Sequence, residues 1–81
     1  MIVTVHLFAA ARDLAGCESV SVELPKRSTV TTLRTKLATT FPSLSPLLAR
    51  SAIAINHDYA EDATVVCEGD ELAVIPPVSG G

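Results

Sequence analysis

Apolar and polar residues alternate at the start of the chain: Val3, Val5 and Leu7 are separated by Thr4 and His6. A period of two belongs to a half-buried strand, which predicts a first strand over residues 2–8. Residues 9–15 suit a short helix or helical turn, stopped by Gly16. Val20, Val22 and Leu24 then alternate with Ser19, Ser21 and Glu23, giving a second strand that Pro25 ends. These two strands are expected to pair antiparallel, through a connection longer than a tight hairpin turn.

The period then changes. Val30, Leu33, Leu37 and Phe41 are spaced by three, four and four, one face of an α-helix, with Ser28 as its cap. The threonines between them are weak helix formers, so packing must hold this helix. Pro42 marks its end. Leu44, Leu47 and Leu48 fit one further helical turn plugging an edge of the core. Ile53 and Ile55 alternate with Ala52 and Ala54 as a third strand, and Asn56-His57-Asp58 is turn chemistry from which Tyr59-Ala60 pairs back briefly. A second turn, Glu68-Gly69-Asp70, opens the last strand over residues 71–75. Leu72 and Val74 point inward there, Ala73 and Ile75 outward.

The order is strand, strand, helix, strand, strand, so one helix must cover one face of a mixed sheet of four to five strands. First and last strands lying parallel in the middle, joined through the helix, satisfy the crossover rule. The predicted class is α+β and the architecture a β-grasp, or ubiquitin-like, domain over residues 1–75, followed by an extended tail over residues 76–81.

Composition narrows the functions open to such a domain. The 81 residues are 48% hydrophobic, 19% charged and 4% aromatic, so Leu, Ile, Val and Ala must fill a modest core. The net charge is −3, and Lys26-Arg27 are the only adjacent positives, which argues against nucleic-acid partners. No apolar run is long enough to cross a membrane. Met1-Ile2-Val3-Thr4 enters a strand without the basic-then-apolar pattern of a signal peptide, so a cytoplasmic location is expected. Cys17 and Cys67 have neither metal-ligand spacing nor a disulfide framework and read as two reduced, partly buried thiols. Asp58, Glu61 and Asp62 show no metal-ligand pattern and read as a solvated face. His6 reads as a surface sheet residue.

The candidate chemistry lies in Pro76-Pro77-Val78-Ser79-Gly80-Gly81. Two prolines fix φ and stop the sheet ladder. Six extended residues reach roughly 20 Å, at about 3.3 Å each. Two glycines lack Cβ atoms, so this end can thread a channel closed to other residues, and its carboxyl is unhindered. Chain ends commonly fray, and a passive tail is the competing reading.

Residues 69–81, Gly-Asp-Glu-Leu-Ala-Val-Ile-Pro-Pro-Val-Ser-Gly-Gly, closely resemble the C-terminus of the molybdopterin synthase small subunits, a sulfur-carrier family. Phe8-Ala9-Ala10-Ala11-Arg12-Asp13-Leu14-Ala15-Gly16 resembles that family's first strand–helix junction, and Asn56 fits its mid-chain turn. The resemblance covers essentially the whole sequence, and its most specific part is the Pro-Pro-Val-Ser-Gly-Gly ending. It implies a cycle run by partners. An E1-like activating enzyme uses Mg-ATP to adenylate the Gly81 carboxylate, and a sulfur donor protein converts it to a thiocarboxylate. In the active site of the synthase large subunit, that sulfur passes to cyclic pyranopterin monophosphate. Two transfers build the dithiolene of molybdopterin. The chain itself binds no cofactor in this scheme and supplies a transferred atom rather than a catalytic side chain. Two small and two large subunits are implied.

Phe8 and Ile75 point opposite to the core sets of their strands, and Tyr59 lies beyond a turn. Together with the resemblance, this makes Phe8, Tyr59 and Ile75 the expected partner surface. Arg12, in the family-like N-terminal stretch, is either a partner-pairing cation or a solvated surface arginine. Three other functions remain compatible: a sulfur carrier for another pathway such as thiamine thiazole synthesis, a protein modifier conjugated through Gly81, and an interaction module with a passive tail.

Overall fold

A computed structural model of the chain describes residues 1–77. Five strands, β1 (Ile2–Leu7), β2 (Ser19–Glu23), β3 (Ala52–Ile55), β4 (Asp58–Ala60) and β5 (Glu71–Ile75), form one mixed sheet in the order β2-β1-β5-β3-β4. Helices α1 (Ala9–Ala15), α2 (Val30–Thr40) and α3 (Ser45–Leu48) connect them, with a 3-10 turn at Pro42–Leu44 leading into α3. β1 and β5 are parallel neighbours, and β5 is the central strand. The pairs β1–β2, β3–β5 and β3–β4 are antiparallel. This is the α+β, β-grasp arrangement that the element order predicts, in its five-strand form.

The alternation along the strands decides what the core contains. Val3, Val5 and Leu7 of β1 and Leu72 and Val74 of β5 are at most 2% exposed and face α2, whose Val30, Leu33 and Leu37 are fully buried. Each such aliphatic side chain contributes about 1.5–3 kcal/mol through removal from water. Leu44, Leu47 and Leu48 close one edge of this layer, as their spacing suggests.

Several local expectations change. β1 ends at Leu7 rather than residue 8: Phe8 is extended (φ −122°, ψ 154°) and precedes α1, and Ala9 turns the chain there at φ 49°. Thr29, not Ser28, caps α2, because its side chain accepts from the Thr32 N–H. The Ser28 hydroxyl is nearly buried and donates instead to the Pro25 carbonyl at 2.6 Å. The α2 threonines turn inward on the helix backbone: the hydroxyls of Thr35, Thr39 and Thr40 donate to carbonyls four residues earlier. That local bonding satisfies the hydroxyls without helping the helix.

Residues 64–66 carry a link with no periodic signal. The Val30 N–H donates to the Thr64 carbonyl at 3.0 Å, and the Val66 N–H to the Ser28 carbonyl at 2.7 Å. Val66 is 1% exposed and joins the core. Arg34 ties the same loop to α3: its guanidinium pairs with Asp62 at 3.0 Å and donates to the carbonyls of Leu48 and Ser51. Asp62 is therefore an ion-pair partner rather than part of a wholly solvated acidic face. Both cysteines are free thiols, but only Cys17 is half-buried; Cys67 is exposed, against the expectation for both.

Candidate functional site

The parallel β1–β5 pair sets the geometry of the site. Both strands end at the same sheet edge, so Phe8, following β1, and Pro76, following β5, leave the sheet side by side. The register, Leu7 opposite Val74, brings Phe8 beside Ile75. Both residues point away from α2, onto the sheet face that no helix covers.

That open face can be read row by row from the pairings. His6, Ala73, Ala54 and Tyr59 form one row across β1, β5, β3 and β4, and Phe8, Ile75 and Ala52 form the next. The two central alanines sit low between larger neighbours. They floor a hollow of about 170 Å³ walled by His6, Phe8, His57 and Ile75. Phe8 is 49% and Tyr59 76% exposed, and Ile75 is half-buried. Tyr59 thus shares the face with the other two but stands at its far edge, on β4. His6 faces the same side and is half-buried as a wall of the hollow rather than an open surface residue.

A second concavity lies around the sheet edge. Phe8, Ala9, Leu47, Arg50, Ile75 and Pro77 line a groove of about 720 Å³, and among the described residues Arg50 is its one charged member. Phe8 and Ile75 form the ridge between groove and hollow. Ala9 owes its place in the groove wall to its left-handed φ, a conformation that costs an L-residue about 1–2 kcal/mol. Arg12 lines neither concavity; its side chain is half-exposed with Asp13 at 4.0 Å. The cation that the fold brings to the tail's exit is Arg50, which nothing in the sequence pattern singles out.

A side-chain clasp holds the other end of β5. Asn56 accepts from the Glu71 N–H at 2.9 Å and donates to the Asp70 carboxylate at 3.0 Å. Asp70 also accepts from the Cys67 N–H at 2.7 Å. Asn56 and His57 are both left-handed (φ 50° and 74°), as a two-residue hairpin turn requires, and asparagine tolerates that conformation well. The register of the central strand is therefore pinned from the turn opposite the exit.

Pro76 is buried and Pro77 exposed. Val78, Ser79, Gly80 and Gly81 lie outside the described residues. Among the described residues, no group of three His, Cys, Asp or Glu side chains is placed to hold a metal ion. No helix among them is long and apolar enough to cross a membrane.

A β-grasp sheet with one uncovered face, and an apolar patch where its central strand runs out, defines a ubiquitin-like, tail-bearing protein. The chain belongs to the ThiS family, whose model matches residues 5–81. It is 39% identical over 79 residues to a molybdopterin synthase sulfur carrier subunit of Arabidopsis thaliana, covering 98% of this chain and 82% of that one. Its structure is similar to SAMP1 from Haloferax volcanii, with a TM-score of 0.88, 29% identity and full coverage of both chains. It is also similar to a chain in the complex of subunits 1 and 2 of the molybdopterin-converting factor from Helicobacter pylori. There the TM-score is 0.72 and the identity 26%, again over the full length of both chains.

Proposed function

We propose that this chain is a sulfur carrier and the small subunit of a molybdopterin synthase, with the Gly81 carboxyl as its reactive group. The observation that carries the reading is the shared exit edge of β1 and β5. It sets the start of the tail beside exposed Phe8 and half-buried Ile75, so one partner can grip the face and receive the tail together. The likeness to the Arabidopsis sulfur carrier subunit, and the two-subunit complex of the Helicobacter protein, support the same reading.

The chemistry follows from the acyl group. A carboxylate is a poor electrophile, so an E1-like enzyme uses Mg-ATP to make it one: a carboxylate oxygen attacks the α-phosphorus and pyrophosphate leaves. A sulfur nucleophile delivered by a donor protein then displaces AMP from the acyl carbon, leaving a thiocarboxylate. Its anionic sulfur is the nucleophile for the pterin, as thiolate rather than thiol is the reactive form of cysteine. Attack on a side-chain carbon of the pterin displaces the oxygen substituent there and gives an acyl–sulfur–carbon link, and water cleaves its acyl–sulfur bond. Sulfur stays on the cyclic pyranopterin monophosphate, and the carboxylate returns for another round. This chain's residues position the tail, while proton transfers belong to the synthase large subunit.

Intact-mass measurement after incubation with activating enzyme, ATP and sulfur donor tests the loading step. One oxygen of the Gly81 carboxyl should be replaced by sulfur. Because oxidation of Met1 adds nearly the same mass, the change must be located in the C-terminal fragment. An unaltered C-terminal fragment, with an activating enzyme shown to work on another carrier, overturns the reading.

The likeness to SAMP1, a small archaeal modifier protein, favours a second reading: a lysine amine rather than sulfur captures the Gly81 acyl group. Amide-linked higher-mass adducts in cell extracts would support it. A carrier for a different sulfur-requiring pathway would load identically and differ only in the acceptor enzyme it binds.

A further inference from the structure

We propose that the free edge of β2 pairs with β2 of a second copy of this chain, antiparallel and centred on Ser21. β2 is an outer strand of the sheet, and its one strand neighbour is β1. The Leu7 N–H donates to the Glu18 carbonyl opposite it, and the Leu24 N–H to the Met1 carbonyl. These two contacts fix the phase of the ladder, because facing residues alternate between bonded and unbonded pairs. Val20 and Val22 therefore bond inward to β1, while the backbone groups of Ser19, Ser21 and Glu23 point outward. Among the described residues, none of those outward groups has a hydrogen-bond partner.

Nothing in the strand blunts this edge. Its register with β1 runs unbroken, so no bulge twists it away, and Ser-Val-Ser-Val-Glu holds no lysine or proline. A two-fold centred on Ser21 sets Ser21 against its own copy and Ser19 against Glu23. All three outward residues of each copy then pair, with no like charges opposed. Behind them, half-buried Val20 meets Val22 of the other copy. Moving the centre to Val22 would set Ser19 against Pro25, which has no N–H, and moving it to Glu23 would oppose two carboxylates. Moving it to Val20 would carry Glu23 past the end of the other strand. The two-fold stands perpendicular to the sheet, so both open faces stay uncovered on one side, and the two β5 strands run out at opposite ends. The pairing rests on no part of the sulfur-carrier reading. Five residues a side fall well short of the roughly 800 Å² per partner of a stable interface, so the dimer is weak, with a Kd of about 1 mM.

The test is amide NMR on the full chain, diluted from about 2 mM to about 0.05 mM around that Kd. The amides of Ser19, Ser21 and Glu23 should shift with concentration, and those of Val20 and Val22 less. In a half-labelled sample, the Val20 Hα should contact the Val22 Hα of the other copy, since unbonded pairs bring the backbones closest. A charge at position 21 meets itself across the two-fold. Ser21→Lys or Ser21→Glu alone should therefore weaken association about two- to fivefold, and an equal mixture of the two should recover it. Concentration-independent amides would overturn the proposal. So would association without the Val20–Val22 contact, association that neither variant weakens, or a mixture no stronger than the single variants. Edge amides that shift only when a synthase large subunit is added would give the edge to that partner and overturn the pairing of copies. Sulfur loading is read separately by mass, so either proposal can fail while the other stands.

Discussion

Substituting Asn56→Asp changes one atom type in the clasp that starts β5. The Asn56 oxygen can still accept from the Glu71 N–H, and aspartate tolerates the left-handed turn, so neither backbone geometry nor volume changes. The donor to Asp70 becomes a second carboxylate oxygen about where the nitrogen stood, 3.0 Å from Asp70 Oδ1. Losing a hydrogen bond to a charged acceptor costs about 1.5 kcal/mol at the lower end appropriate to an exposed site. Two like charges at that distance repel by about 1.4 kcal/mol even at the dielectric constant of water. The sum is about 2–3 kcal/mol, which for a domain of this size lowers Tm by roughly 10–20 °C. Urea titrations of wild type and Asn56→Asp at low salt and at 1 M salt separate the two parts. The repulsive part should shrink at high salt, where the Debye length is about 3 Å, while the lost hydrogen bond should not. A variant within about 0.5 kcal/mol of wild type, or a difference that ignores salt, would show that Asp70 is not held against Asn56.

Replacing Arg34 with methionine removes the fork serving Asp62 and the carbonyls of Leu48 and Ser51, and should cost about 2–4 kcal/mol in urea unfolding. Asp62→Ala alone should cost under about 1 kcal/mol, because that half of the contact is solvent-exposed. Leu33→Ala opens a void at a fully buried position and should destabilise by about 2–5 kcal/mol, read in the same titration. Phe8→Asp and Ile75→Asp should weaken binding to a synthase large subunit about tenfold or more in calorimetry, while Tyr59→Asp, at the rim, should do less. Equal affinities for all four proteins would remove the open face from the interface.

The fold was legible because two periods, two and 3.6, are written cleanly into residues 2–24 and 30–41, and the connection rules leave few ways to join them. What the sequence hid was aperiodic. Val66 is a core residue, but Thr64-Val65-Val66-Cys67 has no alternation to mark a buried side, and its single bridge to Thr29 is purely tertiary. Arg34 sits among threonines on α2, and only the approach of α3 and the segment after it gives it carbonyls to bind, while the loop at Asp62 gives it a carboxylate. The same holds at the site. Phe8 and Ile75 were findable as apolar residues out of phase with the core, and Tyr59 as an aromatic beyond a turn. Arg50 was not, because it borders the tail only after α3 folds back against the β1–β5 edge. Ser28 and Thr29 are both good cap residues in adjacent positions, and the choice between them is made by the Pro25 turn that takes the Ser28 hydroxyl.

The central claim is that sulfur travels on the Gly81 acyl group. Its most direct measurement is sulfur incorporated into cyclic pyranopterin monophosphate when the loaded chain is mixed with a synthase large subunit. The account predicts one sulfur transferred per intact chain and none from a chain lacking Gly80-Gly81. Equal transfer from the shortened chain would contradict it.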